Sequence, residues 1–436
     1  MTRMVKLLSP TLIMLFLCGF VAAETEFDVS AQVRARNEVS NKAITGEQNA
    51  QEYTYLRTRV NLNAAKENAS AFVQIQDSRM LGSKIQYGDW YSGSCGADGK
   101  NAEVHQAYFK INELWNNGLG LKAGRFEVKL GSQRAFAVGG WNNVGLAWDG
   151  VQLWYDCSKA TASGYWLKKQ ERNSTDANED YNAFLFTTKL KSMNLELFGF
   201  IQNDAYKPTT YGVDTTYTSY TSTYNNLSQY SLGLYYQRNY QQFDFALNSV
   251  YQLGKEPVWN STDVTYDERD LSGLMFNVEA GYTFKGDKKA RLAAAIDYTT
   301  ADDAATADEI ETYDNLYYSG HGYRGYMDYF KGSQPLGMMD IVLRGKISPV
   351  EGWCVKGDFH LFSYIEDYTD FEGNETNSVG NEFDFIVSTS RVAGLDLSAG
   401  ACFFMPTDEY AKMKYEDKYT ETNMGTWFFT QAIVNF

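Results

Sequence analysis

Residues Glu52 to Ala64 read E-Y-T-Y-L-R-T-R-V-N-L-N-A. Leu56, Val60 and Leu62 share one face with Thr54 and Thr58, while Tyr55, Arg57, Arg59, Asn61 and Asn63 share the other. A period of two is the mark of a β-strand with unlike faces. The same period runs through Phe27 to Val39, where Val29, Ala31, Val33 and Ala35 oppose Gln32, Arg34 and Arg36. It returns in Leu274–Phe284 and in Asn381–Val387, where Phe383 and Phe385 oppose Glu382 and Asp384.

Extended along the chain, this pattern predicts about 18 strands of roughly 9 to 14 residues. They fall near 27–39, 51–66, 69–78, 102–112, 118–128, 146–157, 160–170, 181–191, 193–203, 228–239, 241–252, 271–285, 290–299, 338–348, 351–364, 379–391, 394–405 and 423–436. Their connections alternate short and long. Short ones sit near 66–68, 113–117, 158–159, 192, 239–240, 286–288, 349–350 and 392–393; long ones cover 40–50, 79–101, 129–145, 171–180, 204–227, 254–270, 300–337, 365–378 and 406–422. Short turns on one side and long loops on the other describe an all-β transmembrane antiparallel barrel, with periplasmic turns and extracellular loops. A soluble β-sandwich has no such strict order of connections, and a propeller would show a repeat of about 40 to 50 residues.

Composition agrees. The 436 residues include 32 Tyr, 26 Phe and 9 Trp but only 6 Pro. Proline cannot donate to a strand ladder, and so aromatic a chain is not disordered. Mean hydropathy is −0.42 with 44% hydrophobic residues, which excludes a helical membrane protein built on runs of about 20 apolar residues. A net charge of −15 excludes nucleic acid as a partner.

Residues 1–23 read as a signal peptide: Arg3 and Lys6 precede the apolar stretch Thr11–Val21, and Val21-Ala22-Ala23 offers a cleavage site before Glu24. The barrel then occupies 24–436, and losing Arg3 and Lys6 moves the net charge from −15 to −17. Cys95, Cys157, Cys354 and Cys402 are scattered, with no zinc or redox spacing. His105, His321 and His360 are dispersed and accompany no hydrolase motif. The chain therefore reads as no enzyme and needs no cofactor or metal. His321 with Asp328 reads as a pair that orders a loop. Acidic groups in the long loops, among them Asp302, Asp303, Asp308, Glu309 and Glu311, read as a solvated rim facing lipopolysaccharide. The last strand alternates Phe428, Thr430, Ala432, Val434 and Phe436. A terminal aromatic of this kind is similar to the signal read by the barrel-assembly machinery.

Lipid-facing positions must be apolar, so the alternation assigns charges to the lumen. Arg34, Arg36, Arg57 and Arg59 form an early basic arc, with Lys122 and Arg125 beyond it. Later strands contribute Glu279, Asp297, Asp340, Arg344, Lys346, Lys356, Asp358, His360, Glu382 and Asp384. In a closed barrel the first and last strands are neighbours, so the basic arc lies near Glu382 and Asp384 and a transverse field crosses the pore. Lumenal arginines match carboxylate and phosphate geometry by paired donors, which gives the early basic arc a role toward small hydrophilic, anionic solutes. An 18-stranded wall is wide. The loop Lys129–Gly145, containing GSQRAFAVGGWNNVG, is expected to fold inward and narrow it, with Arg134 and Trp141 projecting into the lumen.

The segment Leu121–Tyr155, LKAGRFEVKLGSQRAFAVGGWNNVGLAWDGVQLWY, resembles the signature of the alginate-export family of outer-membrane barrels. Its GR pair, G-x-Q-R turn, WNN element and DGV strand start carry the likeness. HQAYFKI from His105, GYMDYF from Gly325 and the NEFDF strand from Asn381 add to it. The resemblance implies an 18-stranded barrel with an arginine-lined pore that passes acidic sugars, lined here by Arg34, Arg36, Arg57, Arg59, Arg125 and Arg134. Ser132 stands where the family often has Asp. The broader expectation is passive diffusion of small hydrophilic solutes; the alternative is a dedicated channel for acidic polysaccharide or oligouronate.

Overall fold

The computed structural model describes residues 25–47, 49–81, 102–115, 117–170, 181–204, 227–260, 265–302, 306 and 308–436. The expected signal peptide, Cys95, Asp303 and most of the loops at 79–101 and 204–227 lie outside the described residues.

The strands are β1 Glu26–Asn41, β2 Gln51–Lys66, β3 Ala69–Met80, β4 Glu103–Leu114, β5 Leu119–Phe126, β6 Trp148–Asp156, β7 Ala160–Gln170, β8 Tyr181–Leu190, β9 Leu195–Asp204 and β10 Leu227–Tyr240. They continue with β11 Phe243–Asn260, β12 Thr265–Thr283, β13 Arg291–Thr299, β14 Glu309–Ile310, β15 Met338–Ile347, β16 Trp353–Thr369, β17 Glu375–Val392, β18 Leu395–Pro406 and β19 Gly425–Asn435. β14 is a two-residue stub lying parallel to β12. The others pair antiparallel in sequence order, and β1 pairs β19 from Gln32↔Asn435 to Asn41↔Thr426. The sheet is therefore a closed 18-stranded barrel, and closure leaves no unpaired edge within the bilayer.

Alternation sets the two faces. Phe109, Leu153, Leu232, Leu292, Leu343, Phe383, Phe385 and Phe428 are exposed on the outside, where lipid would cover them. Inward-facing residues of the wall, such as Asn248, Asn277, Asp340, His360, Glu382 and Asp384, are buried. The wall is uneven: β5 and β6 have 8 and 9 residues, whereas β11, β12, β16 and β17 have 17 to 19.

Two long connections differ from the sequence reading. The β11–β12 ladder continues to Asn260↔Thr265, and β16–β17 resumes pairing at Tyr368↔Thr376 and Thr369↔Glu375. Above the membrane a hairpin needs no apolar face, so strand pairing persists after the hydrophobic alternation fades. A short helix, Asp408–Tyr415, capped by the Thr407 hydroxyl accepting from the Tyr410 N–H, packs Tyr410 and Ala411 into the barrel top.

Candidate functional site: an anchored double loop in the lumen

Loop one, residues 127–147, leaves β5 and crosses the barrel. Its first half meets β8–β12. Phe136 is fully buried, 4.7 Å from Phe200 in a T-shaped contact, and shares an apolar cluster with Leu185, Phe198, Val250 and Met275. Gly131 takes φ +45, and a Cβ there would come within 2.5 Å of the Tyr235 ring, so glycine permits this close crossing.

The second half of loop one returns to the basic arc. Arg34 donates from Nη1 to the Gly140 carbonyl (2.9 Å) and from Nη2 to the Asn142 carbonyl (2.9 Å) and Asn143 Oδ1 (3.0 Å). Arg57 donates to the carbonyls of Gly140 (3.2 Å) and Asn142 (2.9 Å) and to Gln32 Oε1 (3.0 Å). Arg36 donates to the Trp141 carbonyl and lies 4.0 Å over the Trp141 ring. These side chains fork from β1 and β2 because alternation puts Arg34 opposite Arg57. Burying such cations is costly unless they are hydrogen-bonded, and loop carbonyls accept from their Nη groups.

Loop two, residues 311–337, also enters the lumen. It pairs with loop one through the Phe136↔Tyr317 bridge, the Ala137 N–H to Tyr317 carbonyl bond (2.7 Å) and the Tyr317 N–H to Ala135 carbonyl bond (2.9 Å). Tyr323 donates to the Ser132 carbonyl, and its ring lies 4.1 Å from the Arg134 guanidinium. His321 stacks on Trp141 at 4.1 Å and 11°. Two wall carboxylates hold loop two: the Tyr326 N–H donates to Asp384 Oδ2 (3.1 Å) and the Met327 N–H to Glu382 Oε1 (2.8 Å). Asp297 on β13 joins both loops, taking an ion pair from Arg134 and another from Arg324 at 3.6 Å.

The expected inward folding of 129–145 and the inward Arg134 and Trp141 thus match the geometry. The arginines do not face an open conduit, however. Arg34, Arg36 and Arg57 are 2–5% exposed, and each donates from Nη to a loop carbonyl. Arg59 donates to Gln76 (2.7 Å) and lies 3.7 Å from Glu127. Arg344 bonds Glu279 (3.0 Å) and lies 3.9 Å from Asp358; with Lys356 these groups occupy the inward face. Asp340 meets His360 Nδ1 at 2.8 Å, and His360 Nε2 lies 3.6 Å from Asp384, all buried.

Arg125 is a correction. The glycine-rich stretch carries no register slip between Ile111↔Leu121 and Ala107↔Arg125, so alternation runs through it. Lys122 turns inward, stacking over Phe126 at 4.3 Å. Arg125 follows Leu121 and Ala123 to the outer face and pairs there with Asp149 at 3.2 Å. Loop two was missed as a lumen element. Its acidic start suggested a rim, yet Tyr317, Tyr318, Tyr323, Tyr326, Tyr329 and Phe330 with Gly320, Gly322 and Gly325 repeat loop one's mixture of glycine and aromatics, and that was the available signal. His321 does order this loop, lying 3.3 Å from Asp328. Burial pushes the Asp328 carboxyl up, but His321, Lys331 and Lys42 outweigh it and hold it below the usual carboxylate range.

A closed 18-stranded antiparallel barrel with extracellular loops folded into its lumen defines a porin-type protein of the outer membrane. OccK9 (OpdG) of Pseudomonas aeruginosa superposes with a TM-score of 0.58 at 10% identity, over 94% of this chain and 99% of that one. OccK2 (OpdF) of the same organism, crystallised with glucuronate, gives 0.54 at 10% identity over 94% and 98%. A BenF-like porin of Pseudomonas fluorescens Pf-5 gives 0.52 at 11% identity over 94% and 98%. At such identities the likeness is one of fold. The family model described as alginate export matches residues 25–420, and the chain belongs to that family. A search of curated protein sequences found no match.

Proposed function

We propose that the protein is a passive outer-membrane channel for small hydrophilic solutes, whose narrowest section is set by the two interlocked lumen loops. The observation that carries this reading is the anchoring. Both loops are fastened to inward-facing charged side chains of the wall, Arg34 and Arg57 on one arc and Glu382 and Asp384 on the other. Such fastening fixes a pore cross-section that the bare wall would leave too wide to discriminate. In this reading the chain transports and does not catalyse. Residues 1–23 are its removed leader, the aromatic C-terminus ending at Phe436 is read by the barrel-assembly machinery, and lipid and lipopolysaccharide surround the apolar band.

Passage of acidic sugars is the second reading. The family description and the glucuronate bound to OccK2 favour it. The engagement of the buried arginines counts against their acting as free carboxylate sites. Planar-bilayer recording tests the main reading: a folded, heat-modifiable barrel should pass ions, and shortening Ala135–Asn142 should raise single-channel conductance. A folded barrel with no current overturns it. Reversal potentials under a salt gradient, with and without oligouronate block, separate the second reading from the first.

A further inference from the structure

A cavity of about 530 Å³ opens on the extracellular side, between the top of β1 and β2, the connection that joins them, and the tips of both lumen loops. That volume lies within the range of small-molecule sites. Its wall carries three cations and three carboxylates: Arg36, Lys42 and Lys331 against Glu38, Glu47 and Asp328. Each cation is engaged. Arg36 Nε lies 2.6 Å from Glu38, Lys331 lies 3.2 Å from Asp328, and Lys42 donates to the Met327 carbonyl. An incoming carboxylate would have to displace one of these acceptors and would also meet the exposed Glu47.

The remaining wall is neutral and hydrogen-bonding. Ser40, Asn41, Asn49 and Gln51 line it, and hydroxyl and amide side chains both donate to and accept from sugar hydroxyl groups. Tyr53 and Tyr55 present near-parallel rings with centroids 6.1 Å apart at 29°. Trp141 is flanked by Arg36 and His321 at 4.0 and 4.1 Å, so the half-buried Tyr53 is the aromatic surface turned to the cavity. Aromatic faces accept the apolar C–H faces of sugar rings while hydroxyl groups bond at the edges.

We infer that this cavity binds an uncharged sugar of one or two rings, and that the channel entrance thereby favours neutral over acidic sugars. The inference rests on the channel reading above. Single-channel recording with maltose and with digalacturonate as blockers tests it. Maltose should block saturably, at a concentration at least about tenfold below digalacturonate, and Tyr53→Ala should raise its blocking concentration about tenfold. Asn41→Leu should act in the same direction and serves if the first variant fails to give a heat-modifiable barrel. Digalacturonate blocking at an equal or lower concentration overturns the inference, as does ion passage that neither sugar blocks. If the folded barrel passes no ions, the channel reading fails instead. Calorimetric titration of the detergent-solubilised protein with maltose then decides on the cavity alone: binding that Tyr53→Ala weakens supports the site, and no binding overturns it.

Discussion

The two arcs of the wall hold their loops with opposite chemistry. On β1 and β2, Arg34 and Arg57 reach out and donate to the carbonyls of Gly140 and Asn142. On β17, Glu382 and Asp384 accept from the amides of Met327 and Tyr326. A guanidinium is a long planar fork that stays charged at any working pH. A carboxylate is short, has fewer contacts to give and loses its charge in acid. The basic arc should therefore be the stronger and pH-indifferent attachment, and the acidic arc the weaker one, dependent on close approach. The approach is close: Gly325 has φ +76, and a Cβ there would lie 2.4 Å from Glu382 Oε1.

The sharpest way to break this contrast is Arg34→Ala with Arg57→Ala. Loss of charge-assisted bonds to loop one should cost about 3 kcal/mol or more of loop anchoring and raise single-channel conductance roughly threefold, since the bare wall is wide. Unchanged conductance in a folded barrel would show that loop one is held by its apolar half alone.

A smaller effect is expected from Gly325→Ala, which strains a left-handed position and presses on Glu382. The cost should be about 1–2 kcal/mol. It should register as a modest conductance increase and increased proteolysis within 311–337, with loop one unaffected. Equal protease sensitivity in both loops would mean that they move as one body.

Smaller again is Glu382→Gln with Asp384→Asn. Amide oxygens still accept from the Tyr326 and Met327 N–H groups, so only the charge-assisted part, about 1 kcal/mol, is lost. A conductance change as large as that of the arginine pair would refute the ranking.

The smallest concerns Asp328. Its carboxyl is held below its ordinary value in the fold, so it contributes stability above that value and loses the contribution as pH falls below about 4. Asp328→Asn should flatten the acid dependence of stability, read by tryptophan fluorescence in denaturant unfolding as pH falls from about 4 to about 2, because His321 stacks on Trp141. An unaltered titration would place the acid response elsewhere.

Most of the barrel was legible because alternation and the short–long order of connections are imposed by lipid on one face and water on the other. Strand parity alone placed Arg34, Arg57, Asp297, Glu382 and Asp384 on the inner face. Arg125 went astray because it and Lys122, three residues apart, can share the inner face only if the register slips between them, and the ladder from Ile111↔Leu121 to Ala107↔Arg125 contains no slip. What the arginines touch was not legible. A guanidinium facing solvent and one facing a loop carbonyl look alike in sequence, and the partner depends on a loop folding inward some 80 to 110 residues away. Loop one betrayed itself by Gly131, Gly139 and Gly140 among aromatics. Loop two carries the same mixture, but the acidic run before it drew the reading to the rim.

Trp141 has a second consequence. Its backbone and ring are gripped by Arg36 of β1, while its ring lies 5.1 Å from Phe429 and 5.9 Å from Trp427 of β19. Those are the two strands whose pairing closes the cylinder, and about 400 residues separate their partners along the chain. The joint with the longest sequence separation is therefore clasped from inside by a third segment. Its alignment is specified twice, once by the ladder and once by a side chain that fits only when Arg36 and Phe429 stand at the right heights.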